Sequence, residues 1–123
     1  MLYEIKNIRQ YPDEPKRRWF FDHSLDLTVW FDAREDILGF QLCYNKAKAP
    51  CALTWTRSGG YSHNRIDDGE ENRAGRMKSI PILLEDGVFP HLEVADTFKS
   101  LSKNIDPSIS EFVYRKLIDY PSA

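Results

Sequence analysis

Leu25, Leu27, Val29 and Phe31 alternate with Asp26, Thr28, Trp30 and Asp32, and the same period of two returns in Leu38, Phe40, Leu42 and Tyr44 and again in Cys51, Leu53 and Trp55. Successive side chains of a strand point to opposite faces of a sheet, so each run buries one row and turns the other toward solvent. Polar connections at 33–36 and 46–50 separate the runs. Three consecutive strands joined this closely predict an antiparallel meander.

The flanks extend the pattern. Leu2 to Ile8 alternates weakly and reads as a first strand, 11–15 is a turn carrying Pro12 and Pro15, and Arg17 to Phe21 is a short second strand. Gly59-Gly60 is the kind of pair that closes a two-residue hairpin, which makes Tyr61 to Asp67 another strand. After a polar loop at 70–76, Ser79 to Leu84 forms an apolar strand whose Pro81 places it at an edge, and Asp86-Gly87 turns the chain. Leu92, Ala95, Phe98, Leu101 and Ile105 then step by three and four, as do Ile109, Phe112, Val113, Leu117 and Tyr120. Two amphipathic helices follow, the second opened by Asp106 as N-cap and Pro107 in its first turn, or alternatively by a capping box of Ser108 and Glu111. The architecture predicted for 1–123 is a single α+β domain, an antiparallel meander of about five or six strands packed on one face by two C-terminal helices.

Composition narrows the function classes. The chain has 123 residues, 41% of them hydrophobic, and a mean hydropathy of -0.54, values of a folded domain with a water-facing surface. A net charge of -2 offers no general attraction to nucleic acid or to an anionic membrane. The run Lys16-Arg17-Arg18-Trp19-Phe20-Phe21 interleaves cations with aromatics as single-strand binders do, but a strand running from a basic surface into the core has the same composition. No window is apolar enough to span a bilayer, and the start lacks the order of a signal peptide, so the expectation is a cytoplasmic protein with neither nucleic acid nor membrane as partner. No zinc spacing, metallopeptidase helix or calcium loop is present, and no cofactor or metal is indicated.

The expected register pairs Phe31 with Leu38 and Tyr44 with Cys51, which buries Leu27, Leu42 and Leu53 in one row and Val29, Phe40 and Trp55 in the next. Thr28, Gln41 and Thr54 then line up on the other face, between Asp26, Cys43 and Ala52 on one side and Trp30, Gly39 and Thr56 on the other. Cys43 and Cys51 fall on opposite faces, so they are reduced thiols acting as small buried hydrophobes. A strict two-residue turn at Gly59-Gly60 pairs Ser58 with Tyr61 and adds His63, Arg65 and Asp67 to the polar face, beside Thr56, Thr54 and Ala52. A slip of one residue sends Tyr61, His63 and Arg65 toward the core instead.

Most of the versatile chemistry lies between Gly59 and Glu71. His63 is the candidate general acid or base, with Asp67, Asp68 or Glu70 to orient it or to share a divalent cation; the plainer reading is a structural histidine beside a solvated acidic turn. Ser62 and His63 are neighbours on a strand and point apart, which removes them as a nucleophile and base pair.

Through Arg17-Arg18-Trp19-Phe20, Asp26-Leu27-Thr28-Val29-Trp30, Gly39-Phe40-Gln41-Leu42-Cys43-Tyr44, Ala52-Leu53-Thr54-Trp55, Gly60-Tyr61-Ser62-His63, Asp67-Asp68-Gly69-Glu70 and Pro81-Ile82-Leu83, the chain resembles a group of small, uncharacterised bacterial proteins. The resemblance implies a bacterial cytoplasmic origin and brings no activity, cofactor or catalytic residue.

The functional expectation is a non-catalytic module presenting Trp30, Gln41, Thr54, His63 and Arg65 to a small ligand or a protein partner, as a monomer or a homodimer. The alternative is a hydrolase or lyase built on His63 and Asp67. A third reading, self-association, follows from exposed aromatics and the edge strand at Ser79 to Leu84.

Overall fold

A computed structural model of the chain describes residues 1–47, 49–67, 78–81 and 89–121. Among the described residues, seven strands form a single sheet in chain order: β1 (Tyr3–Ile5), β2 (Lys16–Phe21), β3 (Asp26–Phe31), β4 (Ile37–Tyr44), β5 (Cys51–Thr56), β6 (Gly60–Asp67) and β7 (Lys78–Pro81). Two helices, α1 (His91–Leu101) and α2 (Pro107–Ile118), complete an α+β fold. Every strand pairs antiparallel with its chain neighbours.

The register of the central meander is the one the alternation dictates. Leu27, Leu42 and Leu53 form one row and Val29, Phe40 and Trp55 the next, with Tyr44 opposite Cys51. The exception is Phe31, which pairs with Ile37 rather than Leu38 because the register shifts between Trp30 and Phe31. A bulge of this kind leaves one residue of β4 without an opposite number and bends the strand. Gly39, opposite Trp30, has no room for a side chain: a Cβ there would lie 2.5 Å from the Trp55 carbonyl oxygen.

Leu27, Val29, Phe40, Leu42 and Leu53 are fully buried in one core with Val94, Ala95 and Phe98 of α1 and Ile109, Val113 and Leu117 of α2. Each such side chain contributes about 1.5–3 kcal/mol relative to exposure. Phe20 of β2 and Leu2 extend this core to the first edge, where the Leu2 N–H donates to the Leu101 carbonyl at 2.8 Å. Arg18 of β2 shares the helix-bearing face. It holds Glu4 with two hydrogen bonds of 2.8 and 2.9 Å and reaches Asp106, the N-cap of α2, at 3.4 Å.

Three elements differ in extent from the sequence pattern. β1 stops at Ile5, before Asn7 takes up a left-handed φ of 60°. α1 ends at Leu101, where the Ser102 hydroxyl turns back to the Lys99 carbonyl, and Ile105 reaches the core from the following turn instead of from the helix. β7 covers Lys78–Pro81, and Ile82 to Leu84 lie outside the described residues, as do the loop expected at 70–76 and the turn expected at Asp86-Gly87. The Asp106 cap stands as expected, its carboxylate accepting from the Ser108 N–H at 3.0 Å.

Candidate functional site

The hairpin between β5 and β6 decides which side chains meet. Thr56 pairs with Gly60, so three residues, Arg57 to Gly59, make the turn; Gly60 has a φ of +72° and the Thr56 hydroxyl accepts from the Gly59 N–H at 2.9 Å. Trp55 therefore faces Tyr61, Leu53 faces His63 and Cys51 faces Arg65. Tyr61, His63 and Arg65 share the helix-bearing face. Gly60 and Ser62 take the places beside Thr56 and Thr54 that a strict two-residue turn gives to His63 and Arg65, and Asn64 lies beside Ala52. The surface expected from the strict turn is thus divided: Trp30, Gln41 and Thr54 stay together, while His63 and Arg65 lie on the other side of the sheet.

The open face is a grid of three rows across β2 to β6. Trp19, Thr28, Gln41, Thr54 and Ser62 form the middle row, flanked by Arg17, Trp30, Gly39, Thr56 and Gly60 and by Phe21, Asp26, Cys43, Ala52 and Asn64. Trp19, Trp30, Arg17, Thr28, Gln41 and Thr54 are each half-buried, which leaves part of every side chain in contact with solvent. The Gln41 amide donates to the Thr54 hydroxyl at 3.1 Å, fixing both. Arg17 donates to the Arg9 carbonyl at 3.0 Å and lies over the Tyr11 ring at 5.6 Å; among the described residues no carboxylate neutralises it.

The third row is more enclosed. The Trp19 indole N–H donates to Asp26, whose carboxyl is raised above its ordinary value by burial, against the opposing effects of that hydrogen bond and of Lys46. Burial and the neighbouring Asp26 charge push the Cys43 thiol up to about 12, so at neutral pH it is protonated and a poor nucleophile. Cys43 and Cys51 lie on opposite faces, both are buried and neither forms a disulfide.

His63 enters an aromatic cluster on the helix side. The Tyr44 hydroxyl is hydrogen bonded to His63 Nε2, the two rings are stacked 5.8 Å apart, and Phe89 packs on both at 4.9 Å from the imidazole and 5.5 Å from the phenol. Tyr120 closes the cluster against Phe89 and Tyr61, and the Tyr61 hydroxyl donates to the Lys116 carbonyl at 2.6 Å. Desolvation lowers the His63 pKa and raises that of Tyr44, so the phenol keeps its proton and donates it to a neutral imidazole. Of the carboxylates expected to orient His63, Asp67 lies at the end of β6 opposite Lys78, and Asp68 and Glu70 lie outside the described residues.

Sequence reasoning did not select Tyr44, Phe89 or Tyr120 as neighbours of His63. The available signal was the contrast within β6 between Tyr61 and His63 on one side and Ser62 and Asn64 on the other, which favours burying the aromatic row. Among the described residues no group of three or more His, Cys, Asp or Glu could hold a metal ion, and no helix is long and apolar enough to cross a membrane. Among the described residues, cavities of about 350, 430 and 490 Å³ are found that are not lined by Trp30, Gln41 or Thr54; Arg17 lines the first of them. In comparisons with known proteins the chain matches no family model, no curated protein and no solved structure.

Proposed function

We propose that this chain is a small binding module of the bacterial cytoplasm that engages a protein partner through the open face of its sheet. The observation that carries the reading is the half-buried group Arg17, Trp19 and Trp30 beside the Gln41 and Thr54 pair, on the face that α1 and α2 do not cover. Trp, Tyr and Arg supply most of the binding energy of protein interfaces, because they bring large contact area and a directed polar group at modest entropic cost. The grid offers area rather than enclosure, and Trp30, Gln41 and Thr54 line none of the three cavities described above, which favours a macromolecular surface over a small ligand. In this reading Trp30 and Trp19 fill recesses on the partner, Arg17 meets an acidic group, and Gln41 and Thr54 fix the register of approach.

A photo-crosslinking amino acid at position 62, where exposed Ser62 sits on the open face beside Thr54, should capture a discrete partner in the host cell, while the same probe at Leu92, which is 57% exposed on α1, should not. Once the partner is purified, Trp30→Ala and Arg17→Ala should each weaken binding by about tenfold or more with the fold intact, as interface anchors do. Arg65→Ala, on the opposite face, should leave affinity unchanged. Capture from position 92 and none from position 62 would remove the open face from consideration.

The second reading, a hydrolase or lyase, rests on the neutral His63 imidazole held by the Tyr44 phenol. An imidazole deprotonated at neutral pH and fixed by a neutral donor is suited to act as a general base. Its partner is a phenol, however, and among the described residues no carboxylate is hydrogen bonded to it. A pH-rate profile that kept its histidine limb in His63→Gln would end this assignment.

A further inference from the structure

At the end of the sheet, on the helix side, a cleft of about 490 Å³ lies between the β3–β4 turn, the end of β5 and the start of α2. Its walls are aromatic and aliphatic: Phe31, Trp55 and Phe112, with Ile37. Trp55 is stacked on the buried Phe40 at 6.2 Å and meets Phe112 edge-on at 5.4 Å, so both rings are held by packing and stay in place when a guest enters. Trp55 is only half-buried, and its indole N–H donates to no protein group among the described residues.

The charges at the rim pair off, with one exception. Glu35 accepts from Lys16 at 3.1 Å, and Arg57 is held by Asp32 at 3.1 Å and by the Ile37 carbonyl at 3.0 Å. Ser108 donates its hydroxyl to Asp106 at 2.8 Å. The Asp36 carboxylate, which also lines the cleft, makes neither an ion pair nor a hydrogen bond among the described residues. Once internal pairs are removed, the lining residues form apolar aromatic walls on which Asp36 alone keeps a charge, and the Lys116 ammonium lies against the Trp55 and Phe112 rings without belonging to the lining.

The molecule already holds a cation of its own against these two rings. The Lys116 ammonium lies 4.4 Å from the centre of the Trp55 ring and 5.5 Å from that of Phe112, within the range where a ring quadrupole attracts positive charge. Aromatic walls together with an unpaired carboxylate are the chemistry that recognises substituted ammonium groups, whose charge is spread over apolar carbon and costs little to desolvate. We propose that this cleft binds a small organic cation of the quaternary or substituted ammonium class, with Trp55 and Phe112 contacting its alkyl groups and Asp36 balancing its charge. The proposal is independent of the open sheet face, which lies on the other side of the molecule.

The test titrates protein labelled with ¹⁵N at its tryptophans with choline and, separately, with 3,3-dimethylbutan-1-ol, the isostere in which carbon replaces the charged nitrogen. The indole N–H resonance of Trp55 should move and saturate with choline, while those of Trp19 and Trp30 stay fixed. Choline should bind at least about fivefold tighter than the alcohol, the factor expected of a partly desolvated cation over an aromatic wall. Asp36→Asn should bring the two ligands within about twofold of each other, since the residue's backbone bonds to Asp32 are kept and only the charge is removed. Equal affinity for choline and the alcohol, an unchanged ratio in Asp36→Asn, or no saturable movement of Trp55 up to about 20 mM ligand would each overturn the proposal.

Discussion

His63 shows what a change of one face does to a side chain. Exposed on the polar face, its imidazole would titrate near its ordinary value of 6.5; on the helix face, desolvation lowers that value and the Tyr44 phenol donates to Nε2. The sign of the resulting pH dependence follows from linkage. The unfolded chain takes up the proton near 6.5 and the folded chain only at lower pH, so stability is complete above 6.5 and is lost as the pH falls through the depressed folded value. Protonation would also turn Nε2 into a donor facing the phenol's own proton. We expect the urea midpoint to fall between about pH 7.5 and about pH 5.5, and the fall to be smaller in His63→Gln, which keeps an acceptor for Tyr44 without a titrating group. An equal fall in both proteins would assign the loss to other groups.

Among the elements, β2 ties the first edge of the sheet to the start of α2. The side chains of Arg18 and Glu4 are 29% and 20% exposed, whereas those of Lys16 and Glu35 are 55% and 74% exposed. The first pair is bidentate, partly shielded from water and linked to the Asp106 cap; the second is a single contact in solvent. Arg18→Met should therefore cost about 1–3 kcal/mol, through Glu4 left half-buried without its partner. Lys16→Met should change stability by less than about 1 kcal/mol, as exposed pairs do. Denaturant midpoints of the two variants measure the contrast, and equal losses would show that the shielding of Arg18 has no energetic consequence. The elements themselves were legible to different degrees. Strict alternation in β3, β4 and β5 left one register that buries Leu27, Leu42 and Leu53 together, and that register is found. The β5–β6 hairpin was not legible from its turn residues, because Gly59-Gly60 suits a two-residue turn as well as the three-residue turn observed. What selects the longer turn lies far away in sequence: Tyr120 and Lys116 of the C-terminal segment receive Tyr61, and Phe89 receives His63. The candidate site was legible to the same extent. Trp30, Gln41 and Thr54 follow from the central register and stand together, while His63 and Arg65 depended on that one turn.

For the molecule as a whole, the sheet separates two environments. One face is sealed by α1 and α2 and contains the His63 cluster and, at its end, the Trp55 cleft; the other presents Arg17, Trp19 and Trp30. The strand order is that of the chain, from β1 to β7 without a crossover. Each pairing therefore closes only a short loop, and the entropic cost of bringing partners together stays low throughout the sheet. Folding can begin at the apolar β3–β4–β5 hairpins and spread outward one strand at a time, without waiting for distant segments to find each other. The long-range closures come from the other end of the chain, where Leu101 accepts from Leu2, Asp106 meets Arg18 and Tyr120 reaches Tyr61. If the helices dock late, as a latch, core substitutions in α1 or α2 such as Phe98→Ala should speed unfolding more than they slow folding, which stopped-flow folding and unfolding rates measure.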